Sequence, residues 1–480
     1  MGFERLHAAF QRAASSVPAY RRLLQEHDVD ASAIVDCETF AARCPILTKA
    51  NTFDRFAIDQ LCAEGAMADL AEVLTSSGHG GRFSFGLSTR RQKADGPAMI
   101  DYALDEAFSI SQRRTLVINC LPMGVGFSSA TATVATTSVR EDMAIALVST
   151  FGAHYEQIVL VTDPVFVRRV LDHGRERGVN WRKYRLGVVM GEEIFGEHFR
   201  SYVACKLGLD ADEPDGGYIM SSFGVGELGL HLCFETPATI AVRRAAARSS
   251  ALARDLFGEF AVLPMVLAYN PCRTYMEAVD ADSSGYGRLT ISMLDTGMPV
   301  PLLRYQTGDV VRLLDSRCVA KLLERHGVRL PGPLPETILA LAGREKDSLP
   351  GGSHVGVYKD ALYSDPALAD RLTGAFRLIP LESGFIVAHV QLVRGADADR
   401  VFESRLRSAM GIPAHAGRVV ASPYESFPYG MSLDYERKFA YYVPGGSADR
   451  RGGDGRDLLE RELDAQADAE RATVLRNRVL

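Results

Sequence analysis

Long apolar runs are missing from this sequence of 480 residues. No stretch approaches the roughly 18 uninterrupted apolar residues that a membrane helix needs. The first residues also lack the basic start and the following apolar run of a secretion signal. These absences predict a cytoplasmic protein with no membrane partner.

Paired cysteines and an excess of positive charge are missing as well. The cysteines are scattered without a C-x-x-C pair, which favours reduced thiols over disulfides or a metal site. The net charge of -6 excludes the broad basic surface of a nucleic-acid-binding protein, so no nucleic-acid partner is expected. Lysine is scarce, and this makes each lysine position informative.

Alternating apolar runs and helical patterns predict an α/β fold from residue 115 onward. Candidate buried strands at 115–121, 157–162, 186–190 and 218–221 alternate with helices at 166–177 and 197–207, a pattern typical of a parallel sheet of βαβ units. Ligands bind beyond the carboxyl ends of the strands in such a sheet. Residues 275–314 change to a β-rich pattern with turns.

Composition divides the chain into three parts. We expect a large N-terminal domain over 1–343, with the parallel βαβ sheet and a β-rich subdomain, and a small mobile α+β lid domain over 344–445. The polar, glycine-rich stretch at 344–356 is the expected hinge. Residues 446–480 are expected to form a charged, partly helical or disordered tail.

A glycine-rich loop, Thr75-Ser-Ser-Gly-His-Gly-Gly-Arg82, follows a helical pattern at 67–73. Consecutive glycines let backbone N–H groups point into one concavity, and the hydroxyl groups add donors, so the loop suits phosphate oxygens. A flexible hairpin loop explains the same residues. No Lys-Ser/Thr pair follows the glycines, which excludes a Walker A loop.

Two further motifs directly follow candidate strands. Met190-Gly-Glu-Glu-Ile194 offers carboxylates to a nucleotide pocket or, equally, to the start of a helix. The second motif is Ser221-Ser-Phe-Gly-Val-Gly-Glu-Leu-Gly229. Within it Phe223 offers a flat face to a purine and Glu227 a hard oxygen to Mg2+, although a plain β-turn has the same composition.

Three more candidates lie in the second half of the chain. Pro301-Leu-Leu-Arg-Tyr-Gln-Thr-Gly-Asp-Val310 places Asp309 after a Thr-Gly turn at the end of a β segment. Its carboxylate either accepts hydrogen bonds from two ribose hydroxyls or only forms the turn, and a surface ion pair is one alternative for Arg304. Ala342-Gly-Arg-Glu-Lys-Asp-Ser348 lies at the expected hinge, where a solvated linker is the alternative. Lys438 is isolated, and alone it indicates only a solvated side chain.

The order and separation of these motifs resemble the adenylate-forming superfamily of acyl-CoA ligases, and within it the phenylacetate-CoA ligase branch, over residues 10–443. Ser16-Val-Pro-Ala-Tyr-Arg-Arg and Pro45-Ile-Leu-Thr-Lys49 look like the same branch. The resemblance implies these roles: Ser76, Ser77, Gly78, Gly81 and Arg82 for the triphosphate; Gly191, Glu192, Phe223 and Gly224 for adenine; Asp309 for ribose; Glu227 for Mg2+ and catalysis; Arg344 and Lys438 for catalysis; Lys346 or Asp347 for the hinge pivot.

The resemblance implies an ATP- and Mg2+-dependent ligase that joins AMP to a small carboxylic acid, aryl or arylacetic. A thiol of CoA or of an acyl carrier protein would then displace AMP, after the lid rotates and withdraws Lys438. Val125, Phe127 and Ser222 are expected to line the substrate pocket because of their places after the 115–121 run and beside the adenine motif. The oligomeric state stays open, a homodimer included.

Several residues depart from the superfamily pattern. His79, Gly80 and Arg82 replace two threonines and a lysine of the triphosphate loop, and Gly226 replaces a threonine. The changes leave three hypotheses: transfer of the acyl group to a thiol, transfer to an amine or another nucleophile in a specialised biosynthetic pathway, and a nucleotide-binding pseudoenzyme. Lys438 argues against the last, because a binding protein does not need this lysine.

Overall fold

The computed structural model describes residues 2–75, 83–122, 125–209, 217–350, 352–381, 384–429 and 440–442. Within these ranges the strands are β1 (Leu70–Thr75), β2 (Phe85–Thr89), β3 (Thr115–Asn119), β4 (Thr133–Thr136), β5 (Gln157–Thr162), β6 (Leu186–Met190), β7 (Ile219–Val225), β8 (Gly229–Phe234), β9 (Met265–Tyr269), β10 (Thr274–Val279), β11 (Gly287–Met293), β12 (Tyr305–Asp315), β13 (Thr337–Arg344), β14 (Leu372–Pro380), β15 (Ile386–Leu392) and β16 (Gly417–Ser422).

The helices accompany these strands on both sides of the main sheet. They are α1 (Gly2–Ser16), α2 (Pro18–Glu26), α3 (Cys37–Arg43), α4 (Ile58–Leu61), α5 (Arg90–Phe108), α6 (Glu141–Phe151), α7 (Pro164–Glu176), α8 (Glu197–Leu207), α9 (Pro237–Arg248), α10 (Ser250–Phe257), α11 (Ser316–Arg325), α12 (Val355–Ala361), α13 (Pro366–Ala369) and α14 (Arg400–Ala409). In the described part of the chain, none of them has the length and hydropathy to cross a bilayer.

The main sheet has eleven strands in the order β10-β11-β12-β13-β9-β8-β7-β6-β5-β3-β4. The five strands from β7 to β4 pair in parallel, and the remaining strands pair antiparallel. The predicted α/β class, with a parallel βαβ part and a β-rich part, is therefore confirmed. The two parts share one continuous sheet.

The parallel strands are buried on both faces, as their apolar runs predict. Along β3, Leu116 and Ile118 join the core that contains α7, whereas Val117 joins the core that contains α5. The helix α7 begins where Asp163 accepts hydrogen bonds from the backbone N–H groups of Val165 and Phe166, both at 2.9 Å. Such caps fix the point at which each strand gives way to its helix.

Two local predictions were wrong. Residues 67–73 do not form an α-helix. A 3-10 turn spans Ala66–Asp69, and β1 begins at Leu70. β1 pairs antiparallel with β2, and Thr75 lies opposite Phe85. The predicted strand at 218–221 continues to Val225, because its polar end pairs with β8. Cross-strand pairing outweighs the local helical pattern in the first segment and the local turn composition in the second.

The N-terminal helices attach to the antiparallel end of the sheet through a buried arginine. Arg304 is only 6% exposed, which excludes the alternative of a surface ion pair. Its guanidinium pairs with Glu277 at 3.1 Å and donates to the carbonyl oxygen of Cys44 at 2.6 Å. This contact ties the segment after α3 to β12, and Leu47 forms a parallel bridge with Tyr305 beside it.

A separate three-stranded sheet, in the order β14-β15-β16, forms the core of the C-terminal part. This part contacts α8 through polar side chains: Asp370 accepts from the Tyr202 hydroxyl at 2.8 Å, and Asp360 contacts His198 at 2.9 Å. The smaller sheet agrees with the expected α+β lid. The boundaries at 344–445 stay a prediction, and the tail at 446–480 lies outside the described residues.

Candidate active site

The carboxyl edge of the parallel strands carries acidic side chains. Asp163 follows β5, and Gly191, Glu192 and Glu193 follow β6. Burial, and then the charges of Glu193 and Glu192, raise the pKa of Asp163 to about 7, against two backbone hydrogen bonds that lower it. Glu192 has a φ of 68°, which is uncommon for a residue with a side chain.

Glu227 lies in the turn between β7 and β8 and is 9% exposed. Its Oε1 accepts a hydrogen bond of 2.6 Å from the hydroxyl of Tyr305 at the start of β12. Burial, and then the Glu227 charge, raise the pKa of Tyr305 well above its ordinary value. The tyrosine therefore stays protonated and holds the carboxylate in one orientation.

The hairpin β1–β2 approaches the same turn through Gly86. A Cβ at Gly86 would lie 2.1 Å from the carbonyl oxygen of Gly226 and 3.5 Å from the Cα of Glu227, so only glycine permits this contact. The strand that follows the predicted triphosphate loop therefore packs against the turn that contains Glu227, and β1, which precedes the loop, is its hairpin partner. The loop residues themselves lie outside the described residues: Ser76, Ser77, Gly78, Gly81 and Arg82.

Asp309 and Arg344 lie opposite each other on β12 and β13. The carboxylate of Asp309, in a residue only 4% exposed, accepts from Arg344 Nε at 3.4 Å. Burial, and then the charge of Asp309, raise the pKa of Cys233 on β8. The Thr-Gly-Asp turn was expected at the end of a strand, but it lies within β12, where Gly308 adopts a φ of 83°.

The end of β13 meets the loop that follows β6. A Cβ at Gly343 would lie 2.9 Å from the imidazole of His354 and 3.3 Å from Ile194 Cδ1. Arg344 is therefore next to the 191–194 loop as well as to Asp309. The predicted pivot residues Lys346 and Asp347 follow in a 3-10 turn, Glu345–Asp347.

The C-terminal part reaches this edge through Lys359 on α12. Its Nζ lies 2.6 Å from Glu193 Oε2, and the Tyr441 hydroxyl lies 3.4 Å from the same oxygen. Lys359 Nζ also lies 3.9 Å from the centre of the Tyr441 ring. Lys438, the predicted catalytic lysine, lies outside the described residues.

Two of the three predicted substrate residues converge on His231 of β8. Ser222 Oγ lies 2.9 Å from His231 Nδ1, and the Phe127 ring meets the imidazole edge-on at 6.4 Å between centroids. Burial, and then Arg273, lower the pKa of His231 to about 4, so the imidazole is neutral near pH 7. The carbonyl oxygen of Val125 accepts a 2.7 Å hydrogen bond from Asn119.

The predicted adenine residues lie next to these groups. A Cβ at Gly191 would lie 3.8 Å from the carbonyl oxygen of Ser222. The motif after β6 is therefore in contact with the motif that begins in β7. Phe223 is partly buried against the core. The backbone of β8 comes so close to Gly224 that a Cβ on this glycine would lie 2.9 Å from Leu230 Cα, which excludes a side chain there. Across the described ranges, no three His, Cys, Asp or Glu side chains form a metal-binding group, so Glu227 stands alone as the metal-ligand prediction.

Sequence reasoning missed three contributors: Tyr305, His231 and the pair Glu193–Lys359. Tyr305 belongs to the same motif as Asp309, and His231 comes two residues after the motif that contains Glu227. Scanning two residues beyond each motif would have found His231. No local signal links Lys359 to Glu193, because 166 residues separate them.

Comparison with known proteins identifies relatives by structure alone. No protein-family model matches the chain, and no curated protein matches it. A crystal structure of 2-hydroxyisobutyryl-CoA ligase in the postadenylation state, with R3-HIB-AMP, matches with a TM-score of 0.66 and 13% identity, covering 97% of this chain and 91% of that one. An open conformation of that ligase with 2-HIB-AMP and CoA matches with a TM-score of 0.54 and 14% identity, covering 92% of this chain and 90% of that one.

The thioesterification state of the same ligase, with 2-HIB-AMP and CoA, gives a TM-score of 0.52 at 15% identity, covering 92% of this chain and 88% of that one. The likeness extends over both sheets, because it covers nearly the whole of each chain. Identities this low establish the fold, and they leave substrate and activity to other arguments. The chain has the fold of the adenylate-forming ligases, as its motifs predicted.

Proposed function

We propose that this chain is an ATP-dependent ligase that converts a small carboxylic acid, aryl or arylacetic, into its acyl-adenylate. The acyl group then passes to a thiol of CoA or of a carrier-protein phosphopantetheine. The observation that carries the proposal is that contacts link the motifs of the predicted site residues. Glu227 accepts a hydrogen bond from Tyr305, which lies in the motif of Asp309, and Arg344 contacts Asp309. The neighbouring Gly343 approaches Ile194 in the loop after β6. These groups come from separate motifs. The resemblance to the adenylate-forming ligases assigns Asp309 and the loop after β6 to the nucleotide, Glu227 to Mg2+, and Arg344 to catalysis.

In the first half-reaction a carboxylate oxygen of the acid attacks the α-phosphorus of ATP, and the bond to the departing pyrophosphate breaks. Asp309 accepts hydrogen bonds from the ribose hydroxyls, since a carboxylate oxygen can accept more than one. Arg344 beside it, and Lys438, offset negative charge that builds on the phosphoryl oxygens. Positioning and electrostatics supply most of the rate in such a transfer.

Magnesium fits the donor set at Glu227. Mg2+ is usually held by one or two carboxylates together with substrate phosphates and water, so a single carboxylate next to the triphosphate loop is sufficient. The Tyr305 hydroxyl leaves the second carboxylate oxygen to serve as the ligand. When bound, the ion neutralises charge on the phosphate oxygens.

In the second half-reaction the thiol loses its proton to solvent and its sulfur attacks the acyl carbon. The bond from this carbon to the phosphate oxygen breaks, and AMP leaves as the anion. The lid must move to admit the thiol, with Lys346 or Asp347 as the pivot. The contact between Lys359 and Glu193 spans the two parts next to the proposed site, so it must break in any such movement.

Acid-dependent exchange of pyrophosphate into ATP tests the proposal. We would screen aryl, arylacetic, fatty and amino acids with the wild type, with Lys438→Ala, and with Lys321→Ala as a control at an exposed lysine of α11. The expected result is exchange with one class of acid, lost in the Lys438 variant and kept in the control. Absence of exchange with every acid, together with absence of ATP-Mg binding, would overturn the proposal and would also exclude a nucleotide-binding pseudoenzyme.

A further inference from the structure

A cavity of about 850 Å3 lies on the face of the main sheet that α5 covers. Its wall is formed by the second half of α5, the ends of β8 and β9, and residues 331–337. Three lining residues, Arg113, Arg185 and Tyr218, immediately or closely precede β3, β6 and β7. The cavity therefore extends to the amino ends of the parallel strands, away from the acidic edge described above.

The charges of the lining residues are unevenly distributed. Arg113, Arg185 and Arg273 are partly buried, whereas the two lining carboxylates, Glu106 and Glu336, are exposed. Arg273 donates Nη1 to the carbonyl oxygen of His231 at 2.9 Å. Within the described ranges, no carboxylate lies within ion-pair distance of the Arg113 or Arg273 guanidinium. A partly buried guanidinium such as that of Arg113, with no carboxylate at ion-pair distance in the described ranges, favours an anionic ligand.

The other end of the cavity adjoins the candidate active site. His231 lines the cavity and also contacts Ser222 and Phe127, two of the predicted substrate residues. From Ser222 to Tyr218, β7 covers about 13 Å at about 3.3 Å per residue. An elongated molecule can therefore lie between the active-site edge and the arginines that precede the strands.

The backbone of His231 supports a role in binding. Its φ of 56° is uncommon for a residue with a Cβ, and Arg273 holds its carbonyl oxygen. Such a conformation persists where surrounding contacts enforce it, and it is frequent at ligand sites. The neutral imidazole, fixed by Ser222, can give one hydrogen bond to a polar atom of the ligand.

We propose that this cavity binds the non-reacting part of the acid, and that this part carries a second anionic group recognised at Arg113. The inference rests on the proposed adenylation, because it names the substrate class of the same site. The aromatic walls, Tyr102, Tyr218, Tyr269 and Phe234, suit a hydrocarbon or aryl spacer between the two anionic groups. The preferred substrates are therefore dicarboxylic acids or their sulfonate and phosphonate equivalents.

Matched acids that differ only in the distal group test this proposal. We would compare sebacate with decanoate, and 4-carboxyphenylacetate with 4-methylphenylacetate, by acid-dependent pyrophosphate exchange. The wild type is expected to prefer the dianion by about 10- to 100-fold in kcat/KM, the range expected for a hydrogen bond to a charged group. Arg113→Gln should remove this preference mainly through KM, and Arg114→Gln, at the exposed neighbouring arginine, should keep it.

Two results would overturn the inference while leaving adenylation intact: equal use of both members of each pair by the wild type, or an unchanged preference in Arg113→Gln. If no acid supports exchange, the proposed adenylation fails instead. Calorimetric binding of the same four acids then tests separately whether the cavity binds a second anionic group. Dianion binding that is lost in Arg113→Gln but kept in Arg114→Gln supports the anion site. Equal or absent binding of all four acids rejects it.

Discussion

The two edges of the parallel sheet differ in charge. The carboxyl edge collects carboxylates: Asp163, Glu192, Glu193 and, one strand farther along, Glu227. The amino edge is the arginine-lined end of a cavity, with Arg113 and Arg185 before their strands. In βαβ sheets the carboxyl edge is the usual ligand edge. The contrast suggests that the chemistry occurs at one edge and that substrate selection extends towards the other.

The carboxyl edge should show the largest electrostatic effect on stability, at Asp163. Its pKa is about 7 in the folded chain against an ordinary 3.8, chiefly because of burial. A carboxyl group whose pKa is raised by folding stabilises the folded chain fully when the pH is below its pKa in the unfolded chain. This stabilisation is lost as the pH rises through its pKa in the folded chain. Between pH 4 and 7 the wild type should therefore lose about 4 kcal/mol relative to Asp163→Asn, at about 1.4 kcal/mol per pH unit.

Urea unfolding of the wild type and Asp163→Asn at pH 4, 5, 6 and 7 measures this difference. Asparagine keeps the cap of α7, so the helix start is not lost. A stability difference that is independent of pH would show that Asp163 is ionised at the folded edge, and it would weaken the contrast between the edges.

The next effect concerns ATP binding at Asp309. Replacing its carboxylate in Asp309→Asn removes the charged acceptor for ribose hydroxyls, and we expect kcat/KM for ATP to fall about 100-fold. Asp280→Asn is the matched control, because Asp280 is exposed and pairs only on the surface with Arg288. Equal activities for the two variants would exclude Asp309 from the nucleotide site.

A smaller effect is expected at the buried hydrogen bond between Tyr305 and Glu227. Tyr305→Phe leaves the Glu227 carboxylate without its donor, and we expect the free energy of unfolding to fall by about 1–3 kcal/mol. The same variant should need more Mg2+ for half-maximal exchange, because the carboxylate is no longer held in place. An unchanged Mg2+ requirement would separate Glu227 from the metal.

The smallest effect is expected where the lid meets the carboxyl edge. Lys359→Met removes the ion pair with Glu193, a partly buried pair worth about 1 kcal/mol. Proteolysis within residues 344–356 should then be about 5-fold faster than in the wild type. Lys321→Met provides the control at an exposed lysine. Identical cleavage rates would show that this pair does not hold the lid.

The sequence predicted the parallel part of the fold well because its strands are short apolar runs. The bounds of β5 and β6 match the expectation residue by residue. The polar end of β7 has no strand signal in its own composition, since only its pairing with β8 makes it a strand. Local composition misled the reading of residues 67–73 for the same reason.

Local motifs supply the candidate site residues, whereas the distant partners of these residues leave no local signal in the sequence. Asp309 and Arg344 were both nominated, and they lie in contact. Tyr305 was not nominated, because its role depends on Glu227, 78 residues away along the chain. The inward position of Arg304 was also invisible, since its partner Glu277 lies on another strand. The assigned roles stay predictions.

Oxygen transfer from acid to nucleotide tests the central claim most directly. We would supply an acid with 18O in its carboxylate, together with ATP-Mg and hydroxylamine as a general acceptor, and analyse the nucleotides by mass spectrometry. Attack of the carboxylate on the α-phosphorus predicts pyrophosphate and AMP that carries one 18O atom, with the acyl group on hydroxylamine. Formation of ADP and phosphate, or of AMP without 18O, would contradict the adenylation account.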